Sequence, residues 1–517
     1  MWNSKYREEL LNKRAQAYIG GGNDRISRQH SVGKLTARER IDILFDQNTF
    51  TEINTLMQSH DREICIPIQH FPGDGVVIGY GMINGRCVYA AVEDFTVNGG
   101  TLGEYHSRKI ISIMDMALEM RCPFIMINDS GGARIEEGIC SLNGYSGIFL
   151  RNTKMSGIVP QIAVIMGPCA GGACYAPAIC DFIFMVENTG KMFVTGPRVI
   201  STVGGSAVGA EELGGVHVHT EISGVAHFSY PDDKSCLKGV RELLGYLPDN
   251  NQSSSVIFKK QSGNFNLNNS ILEEYVPDNK KKPYDIHKVI EGIVDDGSIL
   301  EVQKDYAKNI VVAFSRVEGR VCGIVANQPE VLSGALDVDA SDKAARFVRF
   351  CDCFAIPLVV LVDVPGFWPS VDQEQQGIIR HGAKLLYAFA EASVPKITVI
   401  LRKAYGGAYI SMNSKGMGAD IVYAWPIAEL AVMGEEGAVD IIYRKRIENA
   451  ANPEMEKELL MQDYRERFVS PYISASNGFI DEIILPEETR EKICTALDAL
   501  AKKKRHIQDK YHGNIPL

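Results

Sequence analysis

Residues 395–420 read P-K-I-T-V-I-L-R-K-A-Y-G-G-A-Y-I-S-M-N-S-K-G-M-G-A-D, from Pro395 to Asp420. A short β-branched apolar run is followed by a double glycine and then by a segment without helix breakers until Gly416. That order predicts a buried strand, a tight turn and a helix starting at Gly406-Gly407-Ala408. Glycine lets the backbone turn sharply and lets another molecule approach the main chain, while the first turn of a helix leaves its N–H groups without intrahelical partners. Such a turn is an anion site made of backbone. The chain contains it twice, the other copy being V-P-Q-I-A-V-I-M-G-P-C-A-G-G-A-C-Y-A-P-A from Val159 to Ala178.

The two copies keep step over a long span. Gly85-Arg86 matches Gly319-Arg320, Lys109 matches Lys343, Pro123 matches Pro357, Asp129 matches Asp363 and Gly132 matches Gly366, all at the 234-residue offset that separates Gly85 from Gly319. One inserted residue later, Pro160 matches Pro395 and Gly171-Gly172-Ala173 matches Gly406-Gly407-Ala408 at an offset of 235. Chance identities do not hold one register for so long, so the sequence implies two copies of one domain, over residues 1–265 and 266–517.

Within each copy, short strands such as Gly75 to Tyr80 and Arg86 to Val92 precede a helical pattern, Tyr105 to Met120, and a continuous apolar strand, Phe124 to Asn128. Strand, helix, apolar strand, glycine turn and helix is the rhythm of an α/β fold with stacked layers. Thr36 and Glu39 form a capping box for a short helix, and a related pattern, H-K-V-I-E-G-I-V, begins at His287. Pro248 to Lys282, rich in Asn, Ser and Lys, reads as linker. Ligands of open α/β sheets bind beyond the carboxyl ends of strands, which places one site in each copy. The loops there are Ser130-Gly131-Gly132-Ala133-Arg134 with Gly171-Gly172-Ala173, and Pro365-Gly366-Phe367 with Gly406-Gly407-Ala408.

The 517 residues carry 45% hydrophobic and 23% charged side chains, ordinary for a globular protein. A formal charge of −10 argues against nucleic acid as a partner, although local cations can still hold an anionic ligand. No apolar run reaches transmembrane length, and the charged N-terminal helical pattern fits neither a secretory signal nor a transit peptide, so a cytoplasmic location without membrane insertion is expected. The 12 cysteines include no C-x-x-C pair and read as reduced thiols. His217 and His219, on one face of an expected strand, supply two metal ligands without a third, so no metal is expected. Asp129-Ser130-Gly131-Gly132 imitates a trypsin-like nucleophile stretch in a chain that lacks the strand-rich pattern of that fold, and neither G-x-x-x-x-G-K-[ST] nor G-x-G-x-x-G occurs.

Close helix-to-strand packing would explain one glycine turn. Recurrence at matched register, each time with an Ala and a Tyr-containing helix start, favours two oxyanion holes, formed at Gly171, Gly172 and Ala173 and at Gly406, Gly407 and Ala408. A reaction that forms enolate-like oxygens on two partners needs such a pair.

Quoted in order, K-L-T-A-R-E-R-I from Lys34, I-N-D-S-G-G-A-R-I-E-E-G from Ile127, G-P-C-A-G-G-A from Gly167, E-E-L-G-G from Glu211, S-G-V-A-H-F from Ser223, Y-A-K-N-I from Tyr306, R-K-A-Y-G-G-A-Y from Arg402, Y-A-W-P from Tyr423, A-V-M-G from Ala431 and the ending H-G-N-I-P-L span nearly the whole chain. With these stretches the chain resembles the carboxyltransferase (β) subunits of biotin-dependent acyl-CoA carboxylases, a family that includes the propionyl-CoA carboxylase β chain and the methylmalonyl-CoA decarboxylase α subunit. The resemblance implies two tandem crotonase-like domains, the first on the acyl-CoA side and the second on the biotin side. It also implies a homohexamer with active sites between protomers. The first glycine turn would hold the thioester oxygen of a short acyl-CoA, propionyl-CoA or acetyl-CoA, and the second the ureido oxygen of biotin. Carboxybiotin would then supply both the CO2 and the base. Ser130, Gly131, Gly132, Ala133 and Arg134 would line the acyl-CoA side, with Tyr409 and Ile410 beside the acyl pocket and Lys308 as a phosphate contact.

The chain has no M-K-M biotinylation motif and no ATP-binding carboxylase domain, so a separate biotin carboxylase and biotinyl carrier protein, or a fused α subunit, are expected partners. Ile410 stands where propionyl-CoA enzymes of the family have Asp, and G-G-A-Y-I-S-M-N-S-K is similar to the decarboxylases, which leaves open the reverse direction as a methylmalonyl-CoA decarboxylase subunit. A hydratase of the wider crotonase group would instead draw on Glu136-Glu137, and an idle assembly subunit would carry damaged glycine turns, whereas both are intact.

Overall fold

The computed structural model describes residues 4–60, 69–204, 207–253, 272–503 and 512–517. The chain divides into two compact units, Met1–Ser254 and Ser255–Leu517. The boundary expected between residues 265 and 266 lies outside the described residues.

The strands of the first unit are β1 (Thr51–Ile53), β2 (Val76–Ile83), β3 (Arg86–Glu93), β4 (Phe124–Ser130), β5 (Gln161–Ala170), β6 (Phe182–Val186), β7 (Lys191–Phe193) and β8 (Phe228–Tyr230). They form one sheet in the order β1-β2-β3-β4-β5-β6-β8, with β7 pairing the far end of β5. The β1–β2 and β2–β3 pairs are antiparallel, and from β3 onward the path is parallel. Every residue of β4 is buried, as the continuous apolar run requires of a strand covered on both faces. The helices Glu104–Met120 and Ile139–Met155 are the crossovers that parallel pairing needs.

The second unit repeats this plan with β9 (Leu300–Val302), β10 (Ile310–Val317), β11 (Arg320–Asn327), β12 (Leu358–Val364), β13 (Lys396–Tyr405), β14 (Ile421–Ala424), β15 (Glu429–Ala431) and β16 (Glu482–Ile483). Here the order is β16-β14-β13-β12-β11-β10-β9, and β15 pairs β13. Start residues of β2, β3 and β4 map onto β10, β11 and β12 at the 234 offset, and β5 onto β13 at 235. Matched side chains do matched work. Lys109 Nζ donates to the carbonyls of Gly73 and Val76 at 2.9 and 2.5 Å, and Lys343 Nζ to those of Tyr306 and Ile310 at 2.7 and 2.8 Å. Burial pushes both ammonium groups down to about 8.

The repeat extends to flanking helices that the first offset does not cover. Ala37–Leu44, opened by the Thr36 and Glu39 capping box, answers to Ile286–Ile293, and Arg241, bound to the Leu44 carbonyl and Asp46, answers to Arg490, bound to the Ile293 carbonyl and Asp295. Two expectations need correction. Residues 272–276, read as linker, start the second core: Leu272 and Val276 are buried against Ile286 and Ile290. The helix after Gly406 ends at Ser411 rather than running to Gly416, because Asn413 takes a left-handed φ of 60° and bonds through its side chain to Thr398 Oγ1.

β4 and β12 share one irregularity. Strand register shifts at Asp129 in one unit and at Asp363 in the other, and both carboxylates are fully buried. Asp129 accepts from Lys34 at 2.5 Å, Arg40 at 2.9 Å and Gln29 at 3.1 Å, and Arg40 also reaches Asp233 at 2.8 Å. Asp363 accepts from Arg402 Nε at 3.0 Å and from the Lys403 backbone N–H at 3.1 Å. Removing one partner of such a pair leaves a buried charge uncompensated, at about 3–5 kcal/mol. Asp129→Ala is therefore expected to lower the unfolding midpoint of the chain far more than Asp305→Ala at the partly exposed Asp305, and denaturant titration followed by circular dichroism measures the difference.

Candidate active site: two glycine turns and their loops

β5 delivers the first turn. Gly171 sits at φ 63°, a 3-10 turn covers Gly171–Cys174, and a short α-helix follows over Tyr175–Ile179. β13 delivers the second, where Gly406 at φ 60° opens an α-helix over Gly406–Ser411. The helix predicted at both turns is thus α-helical from its first residue only in the second. At Gly171 and Gly406 the left-handed φ itself calls for glycine.

Gly172 and Gly407 are different. Neither has a positive φ, and a Cβ added to Gly172 would come nearest the Tyr145 ring at 3.4 Å, or to Gly407 would meet the Phe367 ring at 3.8 Å, both ordinary contacts. Gly172 is partly exposed and Gly407 exposed, whereas Ala173 and Ala408 are buried beneath them. Neither backbone nor packing asks for the second glycine of either pair. A glycine there leaves no side chain standing over the backbone of the turn.

The loop of the first unit leaves β4 at Ser130, which is buried and whose Oγ accepts the Gly132 N–H at 3.1 Å. Gly131, exposed, donates to the Gly99 carbonyl at 3.0 Å, Gly132 lies at φ 103°, and Ala133 bridges Leu102. Leu336 and Phe367 make the same bridge in the second unit. Arg134 does not present its charge to the loop surface. It is 2% exposed, and its guanidinium bonds to Asp74 at 2.9 Å, Glu137 at 2.7 Å and the Thr101 carbonyl at 3.0 Å. Glu137 is spent on Arg134 and the Glu104 N–H at 2.6 Å, which removes it as the free acid a hydratase would use.

In the second unit Tyr409 is half-buried, its phenol pushed up to about 12 by burial, and Ile410 is exposed at the same helix start. Lys308 is exposed on the second unit with Asp305 3.8 Å away, so the acyl-side loop and the expected phosphate contact belong to different units. A cluster that the sequence did not single out lies beside the first loop. Arg25 and Arg28, exposed on the helix Asn23–Ser31, line a cleft with Gln29, Phe95, Asn98 and Gly99. The signal was available in the basic spacing D-R-I-S-R. His217 and His219 are helical rather than on a strand: His217 faces Glu221 at 2.9 Å, and His219 contacts Ser223 and the Met192 carbonyl. Among the described residues no group of three or more His, Cys, Asp or Glu side chains could hold a metal, and no helix is long and apolar enough to cross a membrane.

Residues 28–515 match the carboxyl transferase domain family. The chain is 52% identical to the propionyl-CoA carboxylase carboxyltransferase subunit of Haloferax mediterranei, over 99% of both chains, and 49% identical to the methylmalonyl-CoA decarboxylase subunit alpha of Propionigenium modestum, again over 99% of both. Among solved structures, the transcarboxylase 12S hexamer core, described with methylmalonyl-CoA and methylmalonic acid bound, superposes with a TM-score of 0.95 at 49% identity, covering 100% of this chain and 99% of that one. With two crotonase-like domains and this degree of identity over its whole length, the chain belongs to the carboxyl transferase domain family and is an acyl-CoA carboxyltransferase subunit.

Proposed function

We propose that this subunit moves a carboxyl group between biotin on a separate carrier protein and the α-carbon of a short acyl-CoA, propionyl-CoA or acetyl-CoA, as the carboxyltransferase of an acyl-CoA carboxylase. The observation that carries the reading is the paired Gly172 and Gly407, each a glycine that its own fold does not require. The backbone N–H groups at Gly171–Ala173 stabilise the thioester oxygen as the acyl group becomes an enolate, and those at Gly406–Ala408 do the same for the ureido oxygen. Each preorganised donor of this kind contributes about 3–4 kcal/mol to a transition state. Carboxybiotin supplies the CO2 and the base, which fits a loop whose Glu137 is already committed to Arg134. Ser130–Ala133 line the acyl-CoA side, Arg134 holds that loop through Asp74 and Glu137, and Arg25 and Arg28 meet the phosphates of CoA. Tyr409 and Ile410 border the acyl group.

A homohexamer working with a biotin carboxylase and a biotinyl carrier, in the cytoplasm, completes the proposal. Similarity to the transcarboxylase hexamer supports the assembly, and a reducing compartment suits the described cysteines, none of which is disulfide-bonded. A second reading runs the same steps backward as a decarboxylase, favoured by the exposed apolar Ile410 and by the near-equal identity to methylmalonyl-CoA decarboxylase subunits.

Purified alone, the chain is expected to carboxylate free biotin with methylmalonyl-CoA or malonyl-CoA as donor, releasing the matching acyl-CoA, and the ratio of the two rates ranks the acyl groups. No turnover with either donor from folded, oligomeric protein would count against the assignment. Arg28→Ala should raise KM for the acyl-CoA about fivefold at unchanged kcat, as loss of roughly 1 kcal/mol from an exposed ion pair predicts.

A further inference from the structure

Behind the first loop lies a polar cluster that the second unit builds from different residues. Glu93, at the end of β3, is 2% exposed, and its Oε2 accepts the backbone N–H of Asp129 at 2.8 Å. This bond fixes the residue from which the Ser130–Gly132 loop departs. In the second unit the same bond is made by a neutral amide: Asn327 Oδ1 accepts the Asp363 N–H at 3.2 Å, while Asn327 Nδ2 donates to the Gly334 carbonyl. At the 234 offset Glu93 answers to Asn327 and His106 to Ala340.

The other carboxyl oxygen of Glu93 faces His106. That imidazole is fully buried, and its Nδ1 lies 2.9 Å from the Asp74 carbonyl. A carbonyl only accepts, so Nδ1 carries the hydrogen and the Nε2 of the neutral ring is a lone pair. Nε2 has no hydrogen-bond partner and points toward Glu93 Oε1, 3.7 Å away. A carboxylate facing a buried lone pair is repelled, whereas a carboxylic acid facing it is attracted.

We propose that Glu93 is a neutral acid at neutral pH, its second oxygen facing the lone pair of His106, and serves as a positioning residue for the acyl-side loop, as the amide of Asn327 serves the second unit. The effect on turnover rests on the acyl-side reading given above, but the location of the proton does not. The surroundings agree. Burial raises Glu93 to about 8, with the Asp129 carboxylate adding to the rise and the Asp129 N–H, the Asn128 amide and Arg40 opposing it. Burial lowers His106 to about 3, with Asp74 opposing and Arg134 and Lys109 assisting. Tyr145 and Cys169, which also interact with Glu93, are both held protonated by burial.

Because the folded value of Glu93 lies above its ordinary 4.5, the fold binds this proton more tightly than the unfolded chain. The stability it confers is complete below about 4.5 and is lost as pH climbs through about 8. Glu93→Gln copies the neutral acid and cannot lose the proton. The test compares the full chain with Glu93→Gln and Glu93→Ala.

At neutral pH, the infrared difference between wild type and Glu93→Gln should contain a protonated-carboxyl C=O band, and its absence overturns the neutral acid. The wild-type melting midpoint should fall relative to Glu93→Gln between about pH 5 and pH 8. Parallel profiles overturn the assignment even if no acyl-CoA proves to be a substrate. In the carboxylation assay, Glu93→Gln should keep wild-type turnover at neutral pH and Glu93→Ala should raise KM for acyl-CoA. Above about pH 8, the wild-type rate relative to Glu93→Gln should fall tenfold per pH unit. Superimposed pH profiles would overturn the positioning role.

Discussion

Two buried carboxylates, Asp129 and Asp363, sit where the central strands lose register and the glycine-rich loops begin. A buried charge survives only when it is matched and hydrogen-bonded, and each unit provides for this differently. In the first, Lys34 and Arg40 arrive from an N-terminal segment and tie it, through Asp233, to the Asp233–Leu244 helix. In the second, Arg402 comes from the neighbouring strand β13, and its guanidinium stacks over Tyr284 and collects the carbonyls of Pro277, Asn279 and Lys282. Each clamp thus joins the start of its unit to the strand end beside which the glycine turn stands. Gly167 shows how tightly the first clamp is packed, since a Cβ there would collide with the Asp129 carboxylate.

From these anchors follows the division of labour among the glycines. Gly171 and Gly406 serve the backbone, Gly132 serves a left-handed loop position, and Gly167 serves packing. Gly172 and Gly407 serve none of these. Their openness is a property of the surface, kept in two copies of a fold that has otherwise diverged around them. The divergence shows in Glu93 and His106 against Asn327 and Ala340, a titratable acceptor and an amide acceptor for the same problem of holding the β4 or β12 bulge.

Much of this was legible in the sequence because duplication turns weak local signals into a long register. Strand limits near residues 76, 86 and 124, the Thr36 and Glu39 cap and both glycine turns follow from alternation, breakers and repetition. What could not be read depends on partners distant in the chain. Arg134 looks like a ligand-facing cation until Asp74, sixty positions earlier, is found at its guanidinium. The stop at Asn413 depends on Thr398 across the turn, and the core role of Leu272 depends on a helix that follows it. Glu93 carries no sequence signal at all, since a glutamate at a strand end reads as solvated. Conversely, Lys34, Arg40 and Arg402 were in view within the stretches that identified the family, but as markers rather than as clamps.

The most direct test of the account is kinetic and uses Gly172→Ala and Gly407→Ala, whose added methyl groups fit the fold as it stands. Both variants should melt with the wild type. Gly407→Ala should lose transfer to free biotin by about 100-fold while binding acyl-CoA normally, and Gly172→Ala should lose a similar factor on the thioester side, because the added methyl keeps the reacting oxygen away from backbone donors that contribute about 3–4 kcal/mol each. Folded variants that both turn over at the wild-type rate would contradict the paired-turn mechanism.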